Sequence, residues 1–215
     1  MPSARILDIV GAYDDWIVRA YCWGRFWILR QRFLDEVGQY LPRRGRVLDL
    51  GCGFGLFSLY YASVHPSIEV EGIDLNARRI AMARDAAARL GLTNVRYEVG
   101  NATEFRGGRA FDAAYMLDII HHIPPDTVRP LLDQLLRVLP VGGRLLIKDV
   151  DSSPAWKRWF THALDRLMDP RAPVRYWSAA ELQGLLEEVG FTVYRHLMVD
   201  ILPYPHILYV CARRA

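Results

Sequence analysis

Three glycines at alternate positions follow an apolar stretch near residue 50. The stretch Val47–Leu50 holds three apolar residues and one acid, and it runs directly into Gly51, Gly53 and Gly55. Such a run predicts a buried parallel strand, and the apolar residues after the glycines predict a helix. A turn without Cβ atoms, next to the unpaired N–H groups of a helix N-terminus, lets a ligand lie against the backbone. The pattern predicts a nucleotide-like ligand.

The spacing of these glycines differs from two other glycine-rich loops. The dinucleotide fingerprint G-x-G-x-x-G needs a glycine where Leu56 stands, and a P-loop needs Gly-Lys-Ser/Thr, which does not follow. A plain α/β turn with a structural carboxylate stays open. The acid of the strand, Asp49, would be costly to bury without a hydrogen-bonding role, which makes it a candidate site residue.

A second acid supports the nucleotide interpretation. Residues 68–74 predict another strand, and it ends in Asp74. This acid lies about twenty residues after the glycine turn, where a ribose-binding carboxylate is expected. It could accept hydrogen bonds from both ribose hydroxyls.

At these residues the sequence resembles the class I S-adenosylmethionine-dependent methyltransferases. The motifs VLDLGCGFG, GIDLN, GNA (100–102), FDAAYMLDIIHHIP and PVGGRLLIKDV stand in the family's order within residues 40–213. The resemblance implies a Rossmann-like α/β fold, doubly wound, with a seven-stranded sheet that is mostly parallel and has an antiparallel C-terminal strand. It also implies S-adenosylmethionine as cofactor and S-adenosylhomocysteine as product.

The resemblance further implies which residues bind the cofactor. They are Asp49, Gly51, Cys52, Gly53, Gly55, Asp74, Leu75, Asn101, Ala102 and Leu117. Leu117 would make its contact through the backbone. Asn101 departs from the family, where many members carry Asp, but an amide both donates and accepts hydrogen bonds, so adenine binding is still expected.

Two adjacent histidines follow the fourth predicted strand. Ligands of open α/β sheets bind beyond the carboxyl ends of the strands, where His121 and His122 would lie. Imidazole takes up a proton near neutral pH, so we expect His122 to be a catalytic base or a hydrogen-bonding pocket residue. His121 is expected to be structural or to line the pocket. Neighbouring side chains point apart and no third ligand is in view, so no metal is expected.

Aromatic residues are concentrated in residues 1–41 and 152–177, segments that the resemblance places around the acceptor. Together with residues at the strand ends, they supply the predicted substrate pocket: Trp16, Trp23, His121, Lys148, Trp156 and Tyr176. Apolar and aromatic walls predict a small apolar or aromatic acceptor. The methylated atom, O, C or N, stays open, because alignment does much of the work in methyl transfer and a base is needed only by some acceptors.

The organisation predicted is an N-terminal helical cap, residues 1–41, followed by an S-adenosylmethionine-binding domain, residues 42–215. Within the cap, Tyr13, Trp16, Ala20, Trp23 and Trp27 recur at helical spacing. This face could pack onto the domain, line the acceptor pocket or lie on a membrane surface. The acids at positions 14 and 15 argue against the membrane.

From residue 46 onward strands and helices alternate, as in a parallel sheet with helices on both faces. After the first strand, further strands are predicted at 68–74, 95–99, 111–117, 144–150, 191–199 and 206–213, and the last two should pair antiparallel because no helix separates them. Asn76 and Asp126 are predicted to cap helices, and Ser178 with Glu181 forms a predicted capping box.

Composition sets wider bounds. The chain has 215 residues and a net charge of 27 − 24 = +3, with basic residues scattered, so a small-molecule acceptor is expected rather than nucleic acid. Early acids argue against a signal peptide, and no apolar run is long enough for an integral membrane segment, although peripheral contact stays open. Three scattered cysteines suit a reducing cytoplasm. A monomer or homodimer is expected.

Two other functions stay open at this point. One is a nicotinamide-dependent oxidoreductase, which the missing third glycine disfavours. The other is a non-catalytic S-adenosylmethionine-binding partner subunit, because the glycine turn and Asp74 would serve binding alone.

Overall fold

The computed structural model describes residues 3–104, 110–150, 175–198 and 206–215. The chain forms two compact units. Unit 1 comprises residues 1–102 and 111–114, and unit 2 comprises residues 103–110 and 115–215.

Six helices and seven strands occur in the described residues. The helices are α1 (Ala4–Gly11), α2 (Trp16–Gly38), α3 (Leu56–Val64), α4 (Ala77–Arg89), α5 (Pro125–Val138) and α6 (Ala179–Val189). The strands are β1 (Gly45–Leu50), β2 (Ile68–Asp74), β3 (Val95–Val99), β4 (Ala113–Leu117), β5 (Arg144–Val150), β6 (Phe191–Leu197) and β7 (His206–Arg213). Short 3₁₀ turns cover Ala102–Glu104 and Ile120–His122.

The seven described strands form one sheet in the order β3-β2-β1-β4-β5-β7-β6. β2 is parallel to both β1 and β3, whereas β7 is antiparallel to both β5 and β6. The predicted Rossmann-like α/β fold, with its mostly parallel sheet and antiparallel C-terminal strand, is confirmed. The strand order reverses at β1, and ligands of open α/β sheets bind at such a switch point.

The core of unit 1 forms around β1 and α3. Val47, Leu48 and Leu50 of β1 have no exposed surface, and every residue from Leu56 to Ala62 of α3 is buried. A helix that is apolar all round must be covered on all sides. The glycine turn therefore connects two buried elements, β1 and α3.

The N-terminal segment differs from the single aromatic face that the sequence predicts. It forms α1 and α2, and α2 is kinked at Arg30, whose φ of 56° and ψ of 170° are not helical. Tyr13 is buried and lies in the chain segment between α1 and α2. The buried face of α2 is an aliphatic and phenylalanine stripe: Val18, Cys22, Phe26, Leu29, Phe33, Leu34 and Val37. Trp16, Trp23 and Trp27 lie off this stripe with 76%, 49% and 48% of their surface exposed. Packing onto the domain, one of the three interpretations left open for this face, therefore does not apply to these tryptophans.

The helix caps in unit 2 only partly follow the prediction. Ser178 and Glu181 form the expected capping box at α6, but α5 begins at Pro125 with Pro124 at the N-cap. Asp126 lies in the first turn of α5, so its prediction as a cap is wrong. Proline suits this first turn because it lacks the N–H that would otherwise stay unpaired.

Two strand boundaries also differ from the prediction. β4 begins at Ala113 instead of residue 111, because the Asp112 carboxylate accepts the Arg46 N–H (2.8 Å) and the Asp112 N–H donates to the Arg46 carbonyl (2.8 Å). These bonds tie the approach to β4 to the start of β1. β6 ends at Leu197, and residue 199, where it was expected to end, lies outside the described residues.

None of the helices in the described residues is both long enough and apolar enough to cross a membrane.

Candidate functional site

The glycine turn of unit 1 has a backbone that favours glycine at all three alternate positions. Gly51, Gly53 and Gly55 have φ values of 73°, 55° and 78°, in the left-handed region that residues with a Cβ rarely adopt. The Gly51 and Cys52 N–H groups donate to the Ile73 carbonyl at 2.7 and 3.1 Å. The turn is thus anchored to the end of β2.

Asp74, at the end of β2, completes this anchoring. Its Oδ2 accepts the Gly53 N–H at 2.9 Å, and its Oδ1 accepts the Asn76 N–H at 2.9 Å. A carboxylate has about four lone-pair sites, so these two bonds leave capacity for hydroxyl donors. One side chain can therefore both shape the turn and bind a ribose.

The glycine turn rests on Tyr97 of β3, a contact that the sequence analysis missed. Tyr97 is buried, and its hydroxyl donates to the Gly55 carbonyl at 3.3 Å. The Tyr97 ring also lies so close to Gly72 that a Cβ there would be 2.7 Å from it. No motif signals this role, because the tyrosine is one of several aromatic residues on predicted strands.

Cys52 lies in the turn but is chemically passive. It is 7% exposed, and burial, followed by the charges of Asp49 and Asp74, raises the pKa of its thiol far above the ordinary value. The thiol stays protonated at neutral pH, and the thiolate is the nucleophilic form. This environment suits a small residue in the turn and not a nucleophile.

Asp49 is 2% exposed, and its carboxylate accepts a hydrogen bond from the Ser58 hydroxyl of α3. The predicted cost of burying the acid is thus offset by a donor from the helix that follows the turn. Asp49 joins the end of β1 to the start of α3 and helps to hold the turn between them.

The N-terminal segment reaches the same turn through Phe54. The Tyr13 hydroxyl donates to the Phe54 carbonyl at 2.7 Å, and the Tyr13 and Tyr21 rings lie 6.5 and 5.6 Å from the Phe54 ring. Arg89 donates to the Ala12 carbonyl at 2.7 Å, which holds this segment on α4. The segment and the turn therefore belong to one packed region of unit 1.

The remaining predicted cofactor residues lie at strand ends. Leu75 follows β2 and is 71% exposed, while Asn101 and Ala102 follow β3 and are half-buried and buried. Leu117 is the last residue of β4, in unit 2. The binding roles of these residues stay predictions.

In unit 2, the residues Asp118–His122, which we call the histidine turn, follow β4 directly. Asp118 has a φ of 60°, a left-handed conformation that is uncommon outside glycine. Its carboxylate Oδ1 lies 2.5 Å from the Nζ of Lys148, and its N–H donates to the Lys148 carbonyl at 2.9 Å. Lys148 is fully buried in β5.

The other end of the histidine turn is held by Asp149, the next residue of β5. Its Oδ1 lies 2.5 Å from the Nδ1 of His121, and its Oδ2 accepts the His121 N–H at 3.1 Å. The His121 ring stacks on Tyr176 at 5.6 Å, and the rings of His121 and His122 lie 4.1 Å apart. A carboxylate on Nδ1 fixes the tautomer in which Nε2 takes up a proton.

The predicted pocket residues fall into three groups. His121, Lys148 and Tyr176 belong to unit 2, where His121 contacts Tyr176 and Lys148 pairs with Asp118 beside it. Trp16 and Trp23 belong to unit 1 and are exposed. Trp156 lies outside the described residues. Within the described part of the chain, no three His, Cys, Asp or Glu side chains converge as a metal site requires.

Asp149 lies near the end of the predicted strand 144–150, and the sequence predicted no role for it. The only signal was its position at the carboxyl end of β5, since its partner His121 is 28 residues away in the chain. Asp118 likewise entered the sequence analysis only as part of the motif FDAAYMLDIIHHIP. A polar residue directly after a buried strand is, however, a signal of a ligand-binding or catalytic site.

Comparison with known proteins identifies the family. The model of a methyltransferase domain family matches residues 24–196. The O-methyltransferase rstn1 of Aspergillus nomiae is 28% identical over 174 residues, 77% of this chain and 73% of that protein. An O-methyltransferase of Pyrenophora dematioidea is 32% identical over 189 residues, 83% of this chain and 64% of that protein.

Other matches cover less or are more distant. Two ribosomal RNA methyltransferases, from Salmonella arizonae and Streptococcus gordonii, match 49% and 51% of this chain and 27% and 45% of their own lengths. The crystal structure of the YcgJ protein of Bacillus subtilis superposes with a TM-score of 0.70 at 20% identity, covering 86% of this chain and all of that one. That likeness concerns the fold.

The left-handed glycine turn and the carboxylate of Asp74 fit the nucleoside part of S-adenosylmethionine, which supplies an electrophilic methyl group when bound. The family match does not support the alternative of a nicotinamide-dependent oxidoreductase, nor that of a subunit without catalysis. The chain belongs to the methyltransferase domain family, and it is an S-adenosylmethionine-dependent methyltransferase.

Proposed function

We propose that the enzyme methylates a hydroxyl oxygen of a small, largely apolar or aromatic acceptor, and that His121 is the general base. The observation that carries this proposal is the buried pair of His121 and Asp149, with 2.5 Å between Nδ1 and Oδ1. A base held in orientation by a carboxylate is the arrangement that activates a hydroxyl nucleophile. The two relatives named as O-methyltransferases support an oxygen acceptor.

The proposal moves the base from His122 to His121. His121 is 3% exposed and bound by Asp149 through both its ring and its backbone, so its ring cannot rotate without losing the bond between Nδ1 and Asp149. His122 is half-buried. A base must hold a fixed geometry to take a proton in the transition state, which favours the residue with the carboxylate partner.

The aromatic character of the acceptor rests on Tyr176 of unit 2. Tyr176 stacks on His121 with 26° between the ring planes, which places a flat apolar surface beside the proposed base. A planar acceptor could extend this stacking. The modest net charge of +3 supports a small molecule over RNA.

The N-terminal segment, residues 1–41, is proposed to cap the cofactor turn. The contacts of Tyr13 and Tyr21 with Phe54 support this role, because they join the segment to the residue between two of the turn glycines. A Tyr13→Phe variant should bind S-adenosylhomocysteine more weakly by a few-fold, since it loses one hydrogen bond to the turn. Unchanged affinity would leave the segment as packing alone.

The test of the base uses tritiated S-adenosylmethionine with 1-naphthol, catechol and 1-naphthylamine as probes. The hydroxyl probes should be methylated and the amine should not. His121→Asn keeps a donor toward Asp149 but has no basic nitrogen, so kcat should fall about 100- to 1,000-fold, and the loss of rate toward acid pH should disappear. His122→Asn is the matched control and should retain most activity.

Two results would overturn the proposal. One is methylation of the amine in preference to the hydroxyl probes; the other is loss of activity in His122→Asn with His121→Asn unaffected. Transfer to ribosomal RNA, with none of the small probes accepted, would likewise assign a different acceptor class.

A further inference from the structure

Lys148 is a buried cation, and the proposed chemistry gives it no role. Its side chain has no exposed surface, and Nζ lies 2.5 Å from Oδ1 of Asp118. Removing an ammonium from water is costly unless a carboxylate compensates it, and such pairs often add less to stability than apolar residues of the same size. We therefore expect Lys148 to have a role other than stabilising the fold.

The partner of Lys148 has an unusual backbone. Asp118 adopts a φ of 60°, and its N–H donates to the Lys148 carbonyl at 2.9 Å. A left-handed conformation at a residue with a side chain persists only where the surroundings enforce it, and such positions cluster at functional sites. Lys148 holds this conformation of Asp118 through two contacts, one from its ammonium and one from its carbonyl.

Lys148 and Asp149 hold the two ends of the histidine turn. Side chains of consecutive strand residues point to opposite faces of a sheet, so Lys148 and Asp149 leave β5 in opposite directions. Lys148 binds Asp118 at the start of the turn, and Asp149 binds His121 near its end. Two neighbouring residues of one buried strand thus determine where His121 lies.

We propose that Lys148 is a positioning residue for methyl transfer, which through Asp118 holds the histidine turn and thereby places His121. This inference rests on the proposed role of His121. It removes Lys148 from the predicted acceptor-binding residues, because the ammonium is directed at Asp118. An ammonium in an ion pair has no lone pair and does not itself act as a base.

The test is a double-mutant cycle between Lys148→Met and His121→Asn. In the wild-type background, Lys148→Met should lower kcat for 1-naphthol by about 10- to 100-fold and leave S-adenosylhomocysteine affinity within threefold. In the His121→Asn background it should lower kcat by less than threefold, because the turn no longer carries a base that needs placing. Lys148→Arg, which keeps the cation, should recover part of the rate.

Lys148→Met leaves the Asp118 carboxylate without its cation and could unfold the protein. Lys148→Met with Asp118→Gly avoids this, because neither charge remains and glycine accepts a φ of 60°. This pair should fold and bind S-adenosylhomocysteine, yet show the same loss of kcat. Arg129→Met is the matched control: it breaks the exposed ion pair of Arg129 with Glu188 in the same unit and should not change kcat.

The outcomes separate the two proposals. If His121→Asn leaves kcat unchanged, the proposed base is wrong. If His121→Asn lowers kcat but Lys148→Met lowers it by the same factor in both backgrounds, His121 is the base and Lys148 does not position it. A folded Lys148→Met, Asp118→Gly variant with wild-type kcat would also refute the positioning role.

Discussion

The two loops that follow β1 and β4 are both held rigid, but by different chemistry. The glycine turn is held mainly by backbone hydrogen bonds: Gly51 and Cys52 donate to Ile73, and Gly53 donates to the carboxylate of Asp74. The histidine turn is held by buried charges, with Lys148 on Asp118 and Asp149 on His121. The first loop presents almost only backbone, whereas the second presents an imidazole.

This difference fits the two tasks. A cofactor that carries its own reactive methyl group needs a surface that approaches closely, and bare backbone supplies it. Activating an acceptor needs a titratable side chain in fixed orientation, and buried carboxylate partners supply that orientation. The comparison predicts that, of the two loops, only the histidine turn carries a reactive side chain. It also predicts that substitutions at the glycine turn change cofactor affinity or the free energy of unfolding.

The largest expected effect concerns the thiols. Burial raises the pKa of Cys22 to about 12, and it raises the pKa values of Cys52 and Cys211 further. Because the raised pKa keeps each thiol protonated, less than about one thousandth of the thiolate of an exposed cysteine should be present at pH 8. A thiol-reactive disulfide reagent should label the native protein more than about 1,000-fold more slowly than the urea-unfolded protein.

All three cysteines should then react once urea unfolds the chain. Raising the pH from 7 to 9 should leave native labelling slow, since this range stays below the raised pKa values. Rapid labelling of one thiol in the native protein, mapped to Cys52, would show that the glycine turn does carry a reactive group.

The second prediction concerns Asp74. Asp74→Ala removes the acceptor of the Gly53 N–H and the carboxylate expected to bind ribose, so S-adenosylhomocysteine affinity should fall about 100-fold in calorimetric titration. Glu71→Gln is the matched control, because this acid of β2 pairs with Arg46 instead of the turn and should leave affinity unchanged. Equal losses in both variants would mean that the turn is not held by Asp74.

A third prediction concerns Gly72, beneath the glycine turn. A Cβ at Gly72 would lie 2.7 Å from the Tyr97 ring and 2.9 Å from the Cys52 Sγ. Gly72→Ala should therefore lower the free energy of unfolding by about 2 kcal/mol, measured by urea denaturation, as overpacking of a filled core does. No loss of stability would indicate that Tyr97 shifts freely and does not support the turn.

The smallest effect is expected at Gly184, in the interior of α6. No atom of the described residues lies within 4 Å of a Cβ at this position. Gly184→Ala should raise the free energy of unfolding by about 0.5 to 1 kcal/mol in the same urea experiment, because alanine has the higher helix propensity. It should leave kcat and S-adenosylhomocysteine affinity unchanged, and a change in either would connect α6 to the site.

Several features could be predicted from the sequence because they depend on local chemistry. The glycine spacing predicted a turn without Cβ atoms, Asn76 predicted a helix cap, and Ser178 with Glu181 predicted a capping box. Each is a contact within a few residues of chain, so the residue types alone indicate it. The cap predicted at Asp126 was wrong because two prolines moved the start of α5.

The tryptophans of α2 show where periodicity alone is insufficient. Trp16, Trp23 and Trp27 share one face of α2. A second apolar set, which includes Val18, Cys22, Phe26 and Leu29, occupies a different face. A sequence with two apolar faces on one helix does not reveal which face is buried. In the structure, the face with the smaller side chains packs against the rest of unit 1, and the tryptophans are exposed.

The sequence by itself determined the class of fold, the glycine turn and the acid that accompanies it. Strand periodicity, glycine spacing and the acid at the end of β2 are local signals, so residue types alone reveal them. Only the tertiary structure decided which polar groups meet. Asp118 and Lys148 are 30 residues apart and His121 and Asp149 are 28 apart, and they come together because parallel strands bring their carboxyl ends to one edge of the sheet. Pairing at such distances depends on strand order and register, which residue types do not encode locally.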